Sequence, residues 1–501
     1  MMNPNGCILF FCCVVSIPLL FLLLRRSQRG EGRDRQSKAK LPPGPRPLPI
    51  IGNLHQLSTN APHLSLSALA AQHGPLMYLR LGSVPTLVVS CGAAARDVFK
   101  HHDLAFSGRP ALFAATKLSY GLLDVAFAPH GEYWRQARKV YMVELLSAAR
   151  VQSFRAVREE EVACAVASIR NHPSSSPVNL SRMMLALANS IVCRTAFGGD
   201  GRGSNDIDRI LAEAGELMGG FSAGDFFPRL RWLHKLDGLQ ARLEKVFNQL
   251  NDLHNKVIAQ HLSREDHDEV DMVDLLLRLH RNPKDKNIIK SMDHVKALLT
   301  DIFLAGTNTS SATIIWAMAE LMRNPKVMER TQKELRQAVG YKGKVEESDL
   351  GNLDYLKLVI KETLRLHPPA PLGISRETTE RCTVGSYEVP AGTRVFVNSR
   401  AIGRDPDGWS DPEEFWPERF LGGEVDFRGN HDFCFLPFGA GRRICPGINF
   451  GVAVVELALA NLLYSFDWEL PSEVHELDME ETLGITMHKK TPLHLLAKLP
   501  V

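Results

Sequence analysis

Cys445 stands in the turn-rich stretch PFGAGRRICPGINFG, residues 437–451, among glycines, a proline and two arginines. Taken alone, a cysteine is most simply a small buried filler. Its neighbours suit an anionic metal ligand better. Gly439, Gly441 and Gly447 let backbone approach a bulky planar group, and Pro446 fixes the turn just after the sulfur. Arg442 and Arg443 add positive charge that favours thiolate over thiol and can pair with carboxylates. A helical pattern starting soon after Pro446 aims its N-terminal amides at the same sulfur. A zinc site would need further cysteines or histidines at short spacing, and Cys434 has the wrong separation. A dinucleotide loop also fails: in GAGRRI an isoleucine stands where the third glycine belongs, and no βαβ unit surrounds it. A single thiolate does suffice for haem iron, whose in-plane ligands come from the porphyrin.

Three further groupings carry chemistry. In KETLRLHPP, Glu362 and Arg365 lie on one helix face, a pairing that by itself is worth about 0.2–0.5 kcal/mol at a surface. In YWRQARKV, Trp134 and Arg138 are one turn apart and can reach the same carboxylate. In AGTNTS, Ala305 to Ser310, a glycine and hydroxyls interrupt a long apolar helical pattern, as at a kink or a back-bonded threonine.

The segment FGAGRRICPG resembles the signature of cytochrome P450 haem-thiolate enzymes, with Phe438, Gly441, Arg443, Cys445 and Gly447 at the family's places. The resemblance spans nearly the whole chain and is greatest to the large plant A-type microsomal group. It implies haem b as cofactor, with Cys445 as the axial ligand of the iron and Phe438 and Gly439 beside it. It implies that Trp134, Arg138, Arg376 (in GISRE) and Arg443 hold the haem propionates. Arginine suits that task through its bidentate fork. It places Glu362, Arg365 and Arg419 (in FWPERF) in a buried structural cluster behind the haem, and makes Thr309 the residue that helps deliver protons for oxygen activation. Asn308 departs from the pattern, because an acid usually precedes that threonine, and an amide cannot relay a proton as a carboxylate does.

The activity implied is insertion of one oxygen atom from O2 into an apolar plant metabolite such as a terpenoid, phenolic, alkaloid or oxime. Asn308 leaves open a second reading, a haem-catalysed isomerisation or dehydration without oxygen cleavage. A haem-binding membrane protein without catalysis is a third, weakened by the retention of Thr309. The substrate pocket would be lined by the loop from Ser107 to Val125, by Asp301, Ala305 and Thr309, by Ala370 to Ile374 including Leu372, and by Gly484 to Thr486 including Ile485. The chain has neither a dinucleotide fingerprint nor a flavin site, so electrons from NADPH must arrive through a partner, the NADPH-cytochrome P450 reductase that the resemblance implies. Arg135, Lys139 and Arg442 are candidates for steering it.

The elements that must position these residues are mostly helical. The longest apolar pattern runs from Asp293 to Arg323 and another from Asn449 to Phe466, with short β-like runs at Met77–Leu81, Thr86–Ser90 and Arg394–Asn398. Breaks at Asn171–Pro177, Gly198–Asn205 and Ser263–Glu269 read as loops. The fold class expected is mainly α with a minor β portion, the cytochrome P450 fold, in one catalytic domain over 54–501.

Ahead of it, Cys7 to Leu24 form 18 uncharged residues, enough for a short membrane-spanning helix, and no small-residue cleavage site closes the run. Residues 25–40 carry seven basic and two acidic side chains, so a signal-anchor over 1–24 would leave everything after it cytosolic, on the endoplasmic reticulum membrane. Five prolines between Pro42 and Pro49 make the rest of a 25–53 linker stiff. The net charge of +3 over 501 residues gives no reason to expect nucleic-acid binding. The nine cysteines should stay reduced in a cytosolic body, and the sequons at Asn179 and Asn308 should be inert.

Overall fold

The computed structural model describes residues 40–500 except 59–60, 199–204, 220–221, 236–237, 264–270, 283–287, 424, 428–432 and 483. The expected anchor, Cys7 to Leu24, lies outside the described residues, as do most of the loops at 198–205 and 263–269. Leu41–Val501 is one compact unit. It therefore starts before residue 54: the Tyr78 N–H donates to the Pro43 carbonyl at 2.8 Å, which lays the proline run against the sheet.

Six helices matter for the site: α1 (Glu132–Val140), α2 (Leu180–Phe197), α3 (Asn205–Gly219), α4 (Met292–Arg323), α5 (Asp354–Leu366) and α6 (Ile448–Ser465). The chain at α4 is helical without a break through Gly306, where the sequence had suggested an interruption. Glycine is needed there for proximity: a β carbon at Gly306 would stand 2.9 Å from Val192 Cγ2 of α2, so the two helices pack closer than alanine allows. On the other side α4 meets α6, where a β carbon at Gly451 would lie 3.9 Å from Ser310 Oγ. Helix α6 is apolar almost all round and long enough to cross a membrane by composition, yet most of it is buried in the core, as such a helix in a large domain must be.

Four strands form the main sheet: β1 (Leu76–Leu81), β2 (Val84–Val89), β3 (Arg376–Glu377) and β4 (Arg394–Val397), in the order β1-β2-β4-β3. In β1 the alternation is clean: Met77, Leu79 and Leu81 are buried while Arg80 is exposed. Gly82, at φ +61°, makes the two-residue turn into β2. A separate hairpin, β5 (Glu481–Thr482) with β6 (His488–Lys489), carries Ile485 at its tip. Its base is tied down by Glu481, whose carboxylate meets His63 Nε2 at 2.5 Å and Arg400 Nε at 3.4 Å.

The sequons are structural. The Asn179 side chain caps α2 by accepting the Arg182 N–H, and Asn308 is buried in α4. No disulfide joins any two of the described cysteines, Cys91, Cys164, Cys193, Cys382, Cys434 and Cys445.

Candidate active site

The loop around Cys445 is closed by its own backbone. The Gly439 N–H donates to Leu436 O at 3.1 Å, Ile444 N–H to Gly441 O at 3.1 Å and Cys445 N–H to Phe438 O at 3.0 Å. Gly439 and Gly441 take φ of +70° and +69°, where a β carbon is costly. At Gly441 that carbon would also sit 2.2 Å from Asp103 Oδ1. Asp103 had no sequence signal, yet it secures the turn: its oxygens accept the Arg442 N–H at 3.2 and 3.1 Å and its carboxylate meets Arg442 Nε at 3.2 Å. Arg442, expected to charge the surroundings of the sulfur, is thus turned to the surface and neutralised. Burial pushes the Cys445 thiol up, while the Gly447 N–H and the Arg138 charge pull it down. A cation bound at Sγ would remove the remaining proton outright.

Beside this loop lies a cluster of buried guanidinium groups. Arg443 Nε donates to Ser107 O at 3.0 Å and its Nη2 to Ala128 O at 2.7 Å. Arg376 Nη2 donates to Ala440 O at 2.9 Å and Arg138 Nη2 to Ile444 O at 2.6 Å. Arg109, which sequence reasoning missed, donates to Ala126 O at 2.8 Å and Ser375 O at 2.9 Å. Trp134 sends its indole N–H to Val125 O at 3.0 Å, and the Arg443 guanidinium lies 4.2 Å from its ring centre. Burial lowers all four arginines, and for Arg443 and Arg109 the neighbouring arginines lower it further; Arg443 reaches about 9 and Arg376 about 10. Among the described residues, Asp103 stands 3.9 Å from Arg376, a loose pairing for so much buried charge. Two carboxylates of a planar ligand would be well received here, and the haem propionates fit that requirement.

The face of α4 opposite is open in its middle. Ala305 is exposed although Phe303 is at 0 % and Thr307 at 1 %, so space borders the helix there. Thr309, one turn on, donates its hydroxyl to the Ala305 carbonyl at 2.6 Å. Asn308 points elsewhere: its Nδ2 lies 3.6 Å from where a β carbon at Gly215 of α3 would stand, and Ile485 Cγ2 lies 4.0 Å from the same point.

A cavity of about 110 Å³ is walled by Leu112, Phe127, Met218, Leu372, Ile374 and Ile485, among others. Three of the five expected pocket residues, Leu372, Ile374 and Ile485, therefore come together from distant segments. Ala305 faces the open space on α4. Asp301 is engaged otherwise: its Oδ2 accepts the Val125 N–H at 2.7 Å and the Ala126 N–H at 3.2 Å.

Glu362, Arg365 and Arg419 meet with the first two side chains fully buried. Arg365 Nε and Nη2 donate to Glu362 at 2.6 and 2.8 Å, and Arg419 Nε donates to the same carboxylate at 3.0 Å. Arg365 Nη1 adds the Gly403 and Pro412 carbonyls at 2.6 Å each. A β carbon at Gly403 would stand 2.5 Å from Arg365 O, which explains a glycine at that crossing.

The chain matches the cytochrome P450 family model over residues 42–496. It is 52% identical to cytochrome P450 71A9 of Glycine max, over 97% of this chain and 98% of that protein. It is 49% identical to strychnine-11-hydroxylase of Strychnos nux-vomica (98% and 97% covered) and 44% to tabersonine 6,7-epoxidase isoform 1 of Catharanthus roseus (97% and 96%). A solved zebra fish cytochrome P450 with abiraterone superposes with a TM-score of 0.74 at 27% identity, covering 88% of this chain and all of that one. The chain therefore belongs to the cytochrome P450 family, as a haem b monooxygenase supplied with NADPH electrons by a separate reductase.

Proposed function

We propose that this chain inserts one atom of O2 into a small, largely apolar plant specialised metabolite, and that Cys445 Sγ would hold the haem iron that supplies the chemistry. The observation that carries the substrate class is the mainly apolar cavity wall, with Leu112, Phe127, Leu372, Ile374 and Ile485, in which His63, Asp225 and Arg394 are the ionisable groups. Bound haem supplies the oxygen activation. Arg138, Arg376, Arg443 and Trp134 hold its carboxylates, Phe438 and Gly439 shape the loop that presents the sulfur, and Glu362, Arg365 and Arg419 keep the ground behind it rigid. Thr309 holds a proton at Oγ1 against the Ala305 carbonyl and orders water beside the open helix face. Asn308, turned towards Gly215 and Ile485, acts on the substrate side and leaves the proton to Thr309 and water. The names of the two relatives, a hydroxylase and an epoxidase, support oxygen insertion.

The chain works at the endoplasmic reticulum membrane, anchored by residues 1–24 and joined through the basic segment that follows, with its compact body, which takes in the proline run, in the cytosol. Supporting this, Leu48, Ile50 and Ile51 are exposed just beyond the basic segment, and Trp232 is 57 % exposed. The turn at Gly82 and Ser83 bonds to Ile51 O on one side and Phe226 O on the other, which ties the segment around Ile51 to the one around Phe226.

The test is product formation from a panel of plant metabolites in membranes holding this chain and the reductase, with and without NADPH. Products that require NADPH and oxygen are expected. Products formed equally without NADPH would overturn the proposal in favour of isomerisation or dehydration.

A further inference from the structure

The short strip Asp124–Ala128 is gripped from both sides. Its carbonyls face side-chain donors: Val125 O accepts from the neutral Trp134 Nε1 and from Arg443 Nη1, Ala126 O from Arg109 Nε, and Ala128 O from Arg443 Nη2. Its amides face carboxyl groups: Val125 and Ala126 donate to Asp301 Oδ2, and Phe127 donates to Asp124 Oδ1 at 3.1 Å. Asp124 is 1 % exposed, and its second oxygen, Oδ2, has no hydrogen-bond donor among the described residues. Asp301 grips the next two amides of the same strip, near enough for its carboxyl to interact with that of Asp124. Two ionised carboxylates cannot share such a site, and a buried acceptor without a donor is costly. Both difficulties vanish if one of the two keeps its proton.

We propose that Asp124 and Asp301 share a single proton, Asp124 donating to Asp301, and that this carboxyl pair latches the loop 122–128 to α4, setting the position of Phe127 in the substrate-cavity wall. These are positioning residues, and the latch concerns the protein's own loop and substrate side. Burial, then the partner carboxyl, pushes Asp124 well above the usual carboxylate range, and burial raises Asp301 to about 6. The other ionisable groups facing the pair are Arg109 and Arg443 across the strip and Tyr133 and Tyr141 from α1 and just beyond it. Both tyrosines are pushed up, chiefly by burial and then by the carboxyl pair, and stay neutral.

The sign follows from the raised values. The acid form is favoured in the latched state, so latching is complete at low pH and is lost as pH rises through the raised pKa of the pair. Each pH unit between the ordinary carboxyl value and the raised one should weaken the latch about tenfold, and the loss levels off above it.

Hydrogen–deuterium exchange of the full-length, haem-loaded protein tests this at the Val125, Ala126 and Phe127 amides, with each rate normalised to its intrinsic value across about pH 6 to pH 9, the span of raised carboxyl values. Wild type should lose protection towards the alkaline end. Asp124→Asn, whose amide donates to Asp301 without a titrating proton, should stay protected and flat with pH. A wild-type profile that is flat overturns the proposal whether or not the variant folds. So does an Asp124→Asn profile that falls like wild type, since that would place the titration on Arg443 or another neighbour.

Discussion

At the scale of single residues, Cys445 carries the sharpest expectation. Cys445→Ala should abolish the carbon monoxide difference band of thiolate-ligated haem, and retention of that band would remove the sulfur from the iron. Glu362→Ala should act differently, through assembly. It strands two buried guanidinium groups, at a cost of about 3–5 kcal/mol, so haem content of the purified protein should collapse instead of kcat falling at full loading. The loop could be read from sequence because its informative residues are contiguous: glycines at positive φ, the proline and the sulfur follow one another within a few positions. Its partners could not. Asp103 reaches the loop from more than 300 residues away, and nothing local to an isolated aspartate announces such a contact; Arg138, expected at the haem carboxylates, also donates to the loop backbone at Ile444 O. Arg442 shows the converse error, since adjacency in sequence to the sulfur suggested an influence that its pairing with Asp103 removes.

Among the elements, α4 was legible from its apolar period, and its ends were placed within a residue or so. The meaning of Gly306 was not legible, because it depends on Val192 of a helix more than 100 residues earlier. Gly306→Ala gains about 1 kcal/mol of helix propensity but overpacks the crossing by about 1–3 kcal/mol. We expect a net loss of stability in wild type and a gain in a Val192→Ala background, read from the rate of thermal inactivation. Equal effects in both backgrounds would mean that the helices separate without resistance. The strands were likewise readable as short β runs, but not their order, since β2 pairs in parallel with β4 across 300 residues of intervening chain.

For the molecule as a whole, the question is which surface draws the reductase in. Arg135, Lys139 and Arg442 are all exposed, yet Arg135 is paired with Glu132 and Arg442 with Asp103, which leaves Lys139 as the better candidate for long-range attraction. Lys139→Glu should slow flavoprotein-to-haem electron transfer at low salt, and the difference should shrink as ionic strength approaches about 0.15 M and the Debye length falls to about 8 Å. A rate indifferent to salt and to this substitution would place docking on another surface.

The arrangement of the core also dictates an order of events during synthesis. Strand β2 waits for β4, and α4 leaves one flank uncovered until α6 exists; both late partners belong to the last quarter of the chain. A ribosome adding about 5–20 residues per second must therefore extrude some 400 residues before the sheet can close. Through that interval the nascent polypeptide presents an unpaired strand edge and an uncovered apolar helix, the features that invite aggregation and chaperone capture. The cysteine loop emerges later still, so the growing chain can accept its cofactor only after about 450 residues have been made.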